Sequence, residues 1–149
     1  MSEESSDTDR GAWPSGAPEV GQTASMSRRI EPEYIERFSE ISGDYNPVHY
    51  DEAVARASPF GEIIVQGGVT SAILNAVVAQ ELPGPGTVFL QLDLSFLAPV
   101  RPGDTIIGRV EVVDVRHDKP ITELAVDVTR DDGVVALRGS AVCFTAAVG

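Results

Sequence analysis

Residues 67–86, GGVTSAILNAVVAQELPGPG, decide how this chain folds. Val69, Ile73 and Val77 recur at helical spacing, alanines flank them, and Asn75 is the one polar residue on the middle turns. A helix with so little polar surface has to be covered on nearly every side. Gly67 and Gly68 precede its apolar part, and Pro83-Gly84-Pro85-Gly86 stops it.

Toward the C-terminus every segment reads as strand. TVFLQLDLSFLA (87–98) alternates apolar and polar residues, DTIIGRVEVVDV (104–115) is apolar on both faces, and ITELAVDVTR (121–130) alternates again. Asp131-Asp132-Gly133 signals a hairpin into VVALRGSAVCFTAAV (134–148). Toward the N-terminus, QTASMSRRI (22–30) has modest strand character. In EPEYIERFSEIS (31–42), Tyr34, Ile35, Phe38 and Ile41 recur at three- and four-residue steps behind Pro32, predicting a short helix. One buried helix followed by four strands predicts an α+β architecture, an antiparallel meander curled round the helix. Such a sheet leaves an edge and an outer face uncovered, and pairing two protomers edge to edge hides both, so a homodimer is expected.

At 149 residues and 15.8 kDa the chain suffices for one substantial core. With 42% hydrophobic and 23% charged residues, neither wholesale disorder nor a fibrous repeat fits. No apolar run approaches the roughly 20 residues that span a bilayer. The start, MSEESSDTDRG, is acidic where a signal peptide is basic and then apolar, so a cytoplasmic location is expected. Against 23 acids stand 11 bases, of which Lys119 is the single lysine, for a net charge of −12. That surface repels a phosphate backbone, which argues against nucleic-acid binding, and it suits concentrated salt. Residues 1–20 carry too few apolar groups to order themselves and are expected to form a flexible acidic tail containing Trp13, with a single domain over 21–149. Cys143, between Val142 and Phe144, reads as a core filler. Two distant histidines and scattered acids assemble no metal site, and no cofactor is expected.

His117, in the turn RHDKP (116–120), reads as a solvated hairpin residue. His49 follows Asp44 by five residues through a loop crowded with Gly43, Asn46 and Pro47. Pro47 disfavours a helical conformation at Asn46. An irregular loop can aim both side chains at one point, where a helix would set them on different faces. On chemistry alone the pair is either turn-forming or catalytic. The acids and alanines of DEAVARA (51–57) then suit a resumed helical turn.

The string Ser42-Gly43-Asp44-Tyr45-Asn46-Pro47-Val48-His49 resembles the signature of the MaoC-like hydratases, the hotdog-fold (R)-specific enoyl-CoA hydratases and dehydratases. Ile64-Val65-Gln66-Gly67-Gly68-Val69-Thr70, Leu82-Pro83-Gly84-Pro85-Gly86 and Phe96-Leu97-Ala98-Pro99-Val100-Arg101-Pro102-Gly103-Asp104 resemble further family segments in the same order. Gly21-Gln22-Thr23 resembles the usual start, so the likeness runs from there to the end.

The resemblance implies a hotdog fold, a long helix wrapped by a curved antiparallel sheet. It also implies hydration of trans-2-enoyl-CoA to (3R)-hydroxyacyl-CoA, or the reverse, on coenzyme A or an acyl carrier protein. Asp44 and His49 would share the reacting water, Gly67 would offer its backbone N–H to the thioester oxygen, and Asn46 and Gly68 would support the loops. Gly67-Gly68 could equally just make the turn, and Asn46 is the better candidate for fixing the loop than for touching substrate. Arg28, Arg29, Arg101 and Arg109 are candidates for the anionic end of coenzyme A. Two departures stand out. Many members carry His-Gly-Met at Gln66-Gly67-Gly68, and several have a small hydroxyl residue at Asn75, which bears on the acyl chain taken. A hotdog thioesterase and a non-catalytic acyl-binding subunit are the competing readings; the presence of both Asp44 and His49 counts against the second.

Overall fold

The computed structural model describes residues 12–148. Strand β1 (Thr23–Arg29) leads into helix α1 (Glu33–Ser42), a 3₁₀ turn (Pro47–His49), the short helix α2 (Glu52–Ala57) and the long helix α3 (Gly67–Gln80). Strands β2 (Thr87–Phe96), β3 (Thr105–Val115), β4 (Ile121–Arg130) and β5 (Val135–Thr145) complete the chain. They form one sheet, ordered β1-β3-β4-β5-β2, with every pairing antiparallel.

As its apolar run requires, α3 lies against the sheet with Ile73, Leu74, Val77 and Val78 fully buried. On the facing strands every second residue points inward: Ile106, Gly108, Val110 and Val112 on β3, and Leu124, Val126 and Val128 on β4. Full burial of each such aliphatic side chain stabilises the fold by about 1.5–3 kcal/mol. Helix and sheet approach closely at Gly108, where an added Cβ would lie 2.7 Å from Ile73 Cγ2. A side chain there would push the helix off the sheet.

The strand order corrects the predicted meander. Only β3, β4 and β5 follow one another as hairpins; β2 pairs with β5, not β3. The exit of α3 is tied to the end of the chain: Ala146 donates its N–H to the Gly86 carbonyl at 2.8 Å, and the Thr87 and Thr145 hydroxyls share a 2.8 Å hydrogen bond. β2 therefore starts against β5 and occupies a sheet edge. A register shift between Phe89 and Gln91 packs Phe89 on the core and leaves Val88, Leu90, Leu92 and Phe96 exposed.

Trp13 corrects the reading of the N-terminal segment. It is 3% exposed, and its Nε1–H donates to the Arg116 carbonyl at 2.6 Å, in the turn between β3 and β4. Burial of one large aromatic ring together with its one polar atom holds this segment down where average composition suggests mobility. The remainder of the expected tail, residues 1–11, lies outside the described residues. None of the described helices is long and apolar enough to cross a membrane.

Candidate active site

The loop from Gly43 to His49 is shaped by its own short-range hydrogen bonds. Gly43 ends α1 in the left-handed region, at φ 78°, and its N–H donates to the Ser39 carbonyl at 2.8 Å. Asp44 Oδ1 accepts the Asn46 N–H at 3.0 Å, and Asn46 Oδ1 accepts the Val48 N–H at 3.3 Å, capping the 3₁₀ turn that Pro47 opens. Asn46 is thus engaged with its own loop. Asp51 then caps α2 by accepting from Ala53 and Val54, where the acid-rich stretch predicted a new helical turn.

This geometry brings Asp44 and His49 face to face. His49 is 7% exposed, and its Nδ1 lies 2.7 Å from the Ile64 carbonyl oxygen. A carbonyl only accepts, so Nδ1 carries a proton, which leaves Nε2 as the nitrogen that faces Asp44. That nitrogen stands 3.7 Å from Asp44 Oδ2, on a carboxylate whose side chain is 40% exposed. The separation is too long for a direct hydrogen bond and short enough for one solvent oxygen to contact both atoms. With the ring neutral, such a water can donate one hydrogen to each and keep its own lone pairs free.

Gly67 opens α3 behind Gln66, which makes no side-chain cap. Among the described residues no acceptor takes the N–H of Gly67 or Gly68. A free amide at a helix N-terminus attracts negative charge. Beside it lies a pocket of about 300 Å³, lined by Phe60, Ile64, Val65, Gly67, Thr70 and Phe96 among others. Ile64 links the parts: its carbonyl orients His49 and it also lines the Gly67 pocket.

The departure at Gln66-Gly67-Gly68 has a packing reason. The ring of Phe38 occupies the space beside Gly68, where an added Cβ would fall 2.0 Å from Phe38 Cζ, so a methionine has no room there. Gln66 is 1% exposed; its Nε2 donates to the Ile35 carbonyl at 2.9 Å and to Ser39 Oγ at 3.0 Å. Its Oε1 is buried with no partner among the described residues, an arrangement that costs about 1–3 kcal/mol. The sequence carried no sign of the Gln66–Ser39 contact; the one available signal was that Gln66 adjoins Gly67.

The remaining candidates fall elsewhere. His117 is exposed in the β3–β4 turn, and Cys143 is fully buried, its thiol pushed up to about 12 by desolvation, which leaves it inert as a nucleophile. Arg29 pairs with Glu31 and Arg109 with Glu111, while Arg101 pairs with Glu62 at 2.6 Å and donates to the carbonyl of the pocket residue Phe60. Arg28 borders a separate small groove with Arg37 and Tyr34. No group of three or more His, Cys, Asp or Glu among the described residues could hold a metal.

The MaoC like domain family matches residues 15–134. The chain belongs to this family. An (R)-specific enoyl-CoA hydratase of Aeromonas caviae is 38% identical over 83% of this chain and 92% of its own length. A 3-hydroxybutyryl-CoA dehydratase of Methylorubrum extorquens is 39% identical over 83% of this chain and 78% of its own. The solved structure of the (R)-hydratase from A. caviae superposes with a TM-score of 0.82 at 36% identity, covering 87% of this chain and 98% of that one. This MaoC-like domain is thus an α+β hotdog, one central helix wrapped by a five-stranded antiparallel sheet, and its relatives are hydro-lyases.

Proposed function

We propose that this protein hydrates trans-2-enoyl-CoA to (3R)-hydroxyacyl-CoA, and runs the reverse dehydration, with Asp44 and His49 acting on a single water. The observation that carries this reading is the 3.7 Å gap between Asp44 Oδ2 and His49 Nε2. A water held there aims its oxygen at C3 of an enoyl thioester lying in the Gly67 pocket. As the C3–O bond forms, Asp44 accepts a proton from the water, and the C2–C3 π electrons move onto the thioester oxygen. The Gly67 N–H and the α3 dipole stabilise that developing charge. His49 orients the water, takes that proton from Asp44 at Nε2 and delivers it to C2 as the thioester carbonyl re-forms, so that both groups return to their starting states. Oxygen and hydrogen arrive from one side, so the addition is syn.

Coenzyme A is the carrier this reading takes, in keeping with the substrates in the relatives' names. The test is incubation with crotonyl-CoA while conjugated-thioester absorbance and free thiol are followed together. Loss of conjugation without thiol is the expected result. Thiol release would make the protein a thioesterase, and neither change would favour an acyl-binding subunit or another chain length, which a series of longer enoyl-CoA substrates separates.

The assembly that goes with this reading is a homodimer joined along β2, the edge strand that carries exposed Val88, Leu90 and Leu92. Sedimentation equilibrium is expected to give twice the 15.8 kDa chain mass. A monomer at micromolar concentration would reject the dimer.

A further inference from the structure

One buried hydroxyl joins the three parts of the site. Ser39 Oγ, on α1, lies 2.7 Å from the Asp44 carbonyl oxygen and 3.0 Å from Gln66 Nε2, and it is hydrogen-bonded to the Tyr50 hydroxyl. Donor inventory assigns every proton. The Asp44 carbonyl only accepts, so the single Ser39 proton goes there. Gln66 Nε2 donates to Ser39 and to the Ile35 carbonyl, and Tyr50, facing an oxygen whose proton is committed, donates its own. A flipped Gln66 amide would set oxygen against the Ile35 carbonyl, so the network has one arrangement.

Each partner of Ser39 adjoins a working group. Asp44 carries the carboxylate. Tyr50 follows His49 and stacks on Tyr45, ring centroids 5.9 Å apart, and Tyr45 follows Asp44. Gln66 precedes Gly67, and its carbonyl accepts the Val69 N–H at 3.0 Å in the first turn of α3. Among the described residues Gln66 Oε1 has no partner, so the network does not satisfy every polar atom that it buries. What it does specify is where the Asp44–His49 loop sits relative to the Gly67 amide.

We propose that Ser39, acting with Gln66 and Tyr50, is a positioning residue that sets the distance between the water held by Asp44 and His49 and the Gly67 N–H. This rests on the hydration reading above, and Ser39 itself touches no reacting atom.

Steady-state kinetics on crotonyl-CoA for Ser39→Ala, Tyr50→Phe and the double variant test it. Ser39→Ala is expected to lower kcat by about tenfold to a hundredfold, the scale of loss from a small misplacement of reacting groups, with KM within about threefold of wild type. Tyr50→Phe keeps the ring stack and loses only the donor, and is expected to lower kcat by about threefold to tenfold. The double variant should be no slower than Ser39→Ala, because Tyr50 acts through the Ser39 oxygen. A kcat within about twofold of wild type in both single variants, a loss confined to KM, or additive losses in the double variant overturns the proposal. Should Ser39→Ala not fold, Tyr50→Phe decides alone. If wild type leaves crotonyl-CoA and longer enoyl-CoA substrates untouched, or Asp44→Asn keeps its rate, the hydration reading fails first. An active wild type and an inactive Asp44→Asn, alongside a full kcat in Ser39→Ala, remove the Ser39 role alone.

Discussion

Asp44→Asn and His49→Ala are each expected to lower kcat on crotonyl-CoA by about 10²–10⁴-fold, the range lost with a positioned acid or base. Asn keeps the size of Asp and an oxygen that can still accept the Asn46 N–H, so the 3.0 Å turn bond that shapes the loop survives. What it loses is a group able to take a proton from water at neutral pH. Asp44→Asn should therefore fold and assemble as wild type does, and circular dichroism and sedimentation check that independently of rate. His49→Ala removes the Nε2 facing Asp44 and also leaves the Ile64 carbonyl without its 2.7 Å donor. That orphaned acceptor costs about 1–3 kcal/mol, so a lowered Tm accompanies the lost activity in this variant only. Near wild-type turnover in either variant removes that residue from the mechanism.

The Gly67 N–H, the proposed oxyanion donor, can be deleted almost without disturbing the helix. Gly67 is the first residue of α3, a position where proline is favoured because the N–H there has no helical acceptor. Gln66, at φ −62° and ψ 147°, already has the extended conformation that a residue before proline requires. Gly67→Pro therefore removes the N–H and keeps the backbone path. It is expected to lower kcat by about 10²–10³-fold, the consequence of losing about 3 kcal/mol of oxyanion stabilisation. Gly67→Ala is the control. Its Cβ meets the same neighbour, Phe96 Cε1 at 2.9 Å, on a ring exposed enough to swing aside, yet it keeps the N–H. Equal losses in the two variants would mean that crowding against Phe96 explains both, and that Gly67 only makes the turn.

The parts of the site legible in the sequence are those whose forces act within a few residues. Pro47 excludes a helix at Asn46, and Asp44 and Asn46 each close a turn on a backbone N–H two residues ahead. The same holds for α3, whose apolar run demands burial whatever covers it. The spacing of Asp44, Asn46, Pro47 and His49 was therefore readable as a bent loop with two converging groups, and its likeness to MaoC-like hydratases led to the family that the chain proved to match.

Contacts between distant residues were not readable. Trp13 finds its acceptor 103 residues away, the Thr87 and Thr145 hydroxyls meet across 58, and Gln66 reaches Ser39 across 27. Each depends on which elements the sheet order brings together, and strand alternation is the same whether β2 pairs with β3 or β5. Sequence by itself determined which segments are helix, strand and bent loop, because backbone preference and apolar period are local. Tertiary structure alone decided the neighbours of β2, the anchoring of Trp13 and the Ser39 junction, because each is a meeting of side chains that no local period encodes.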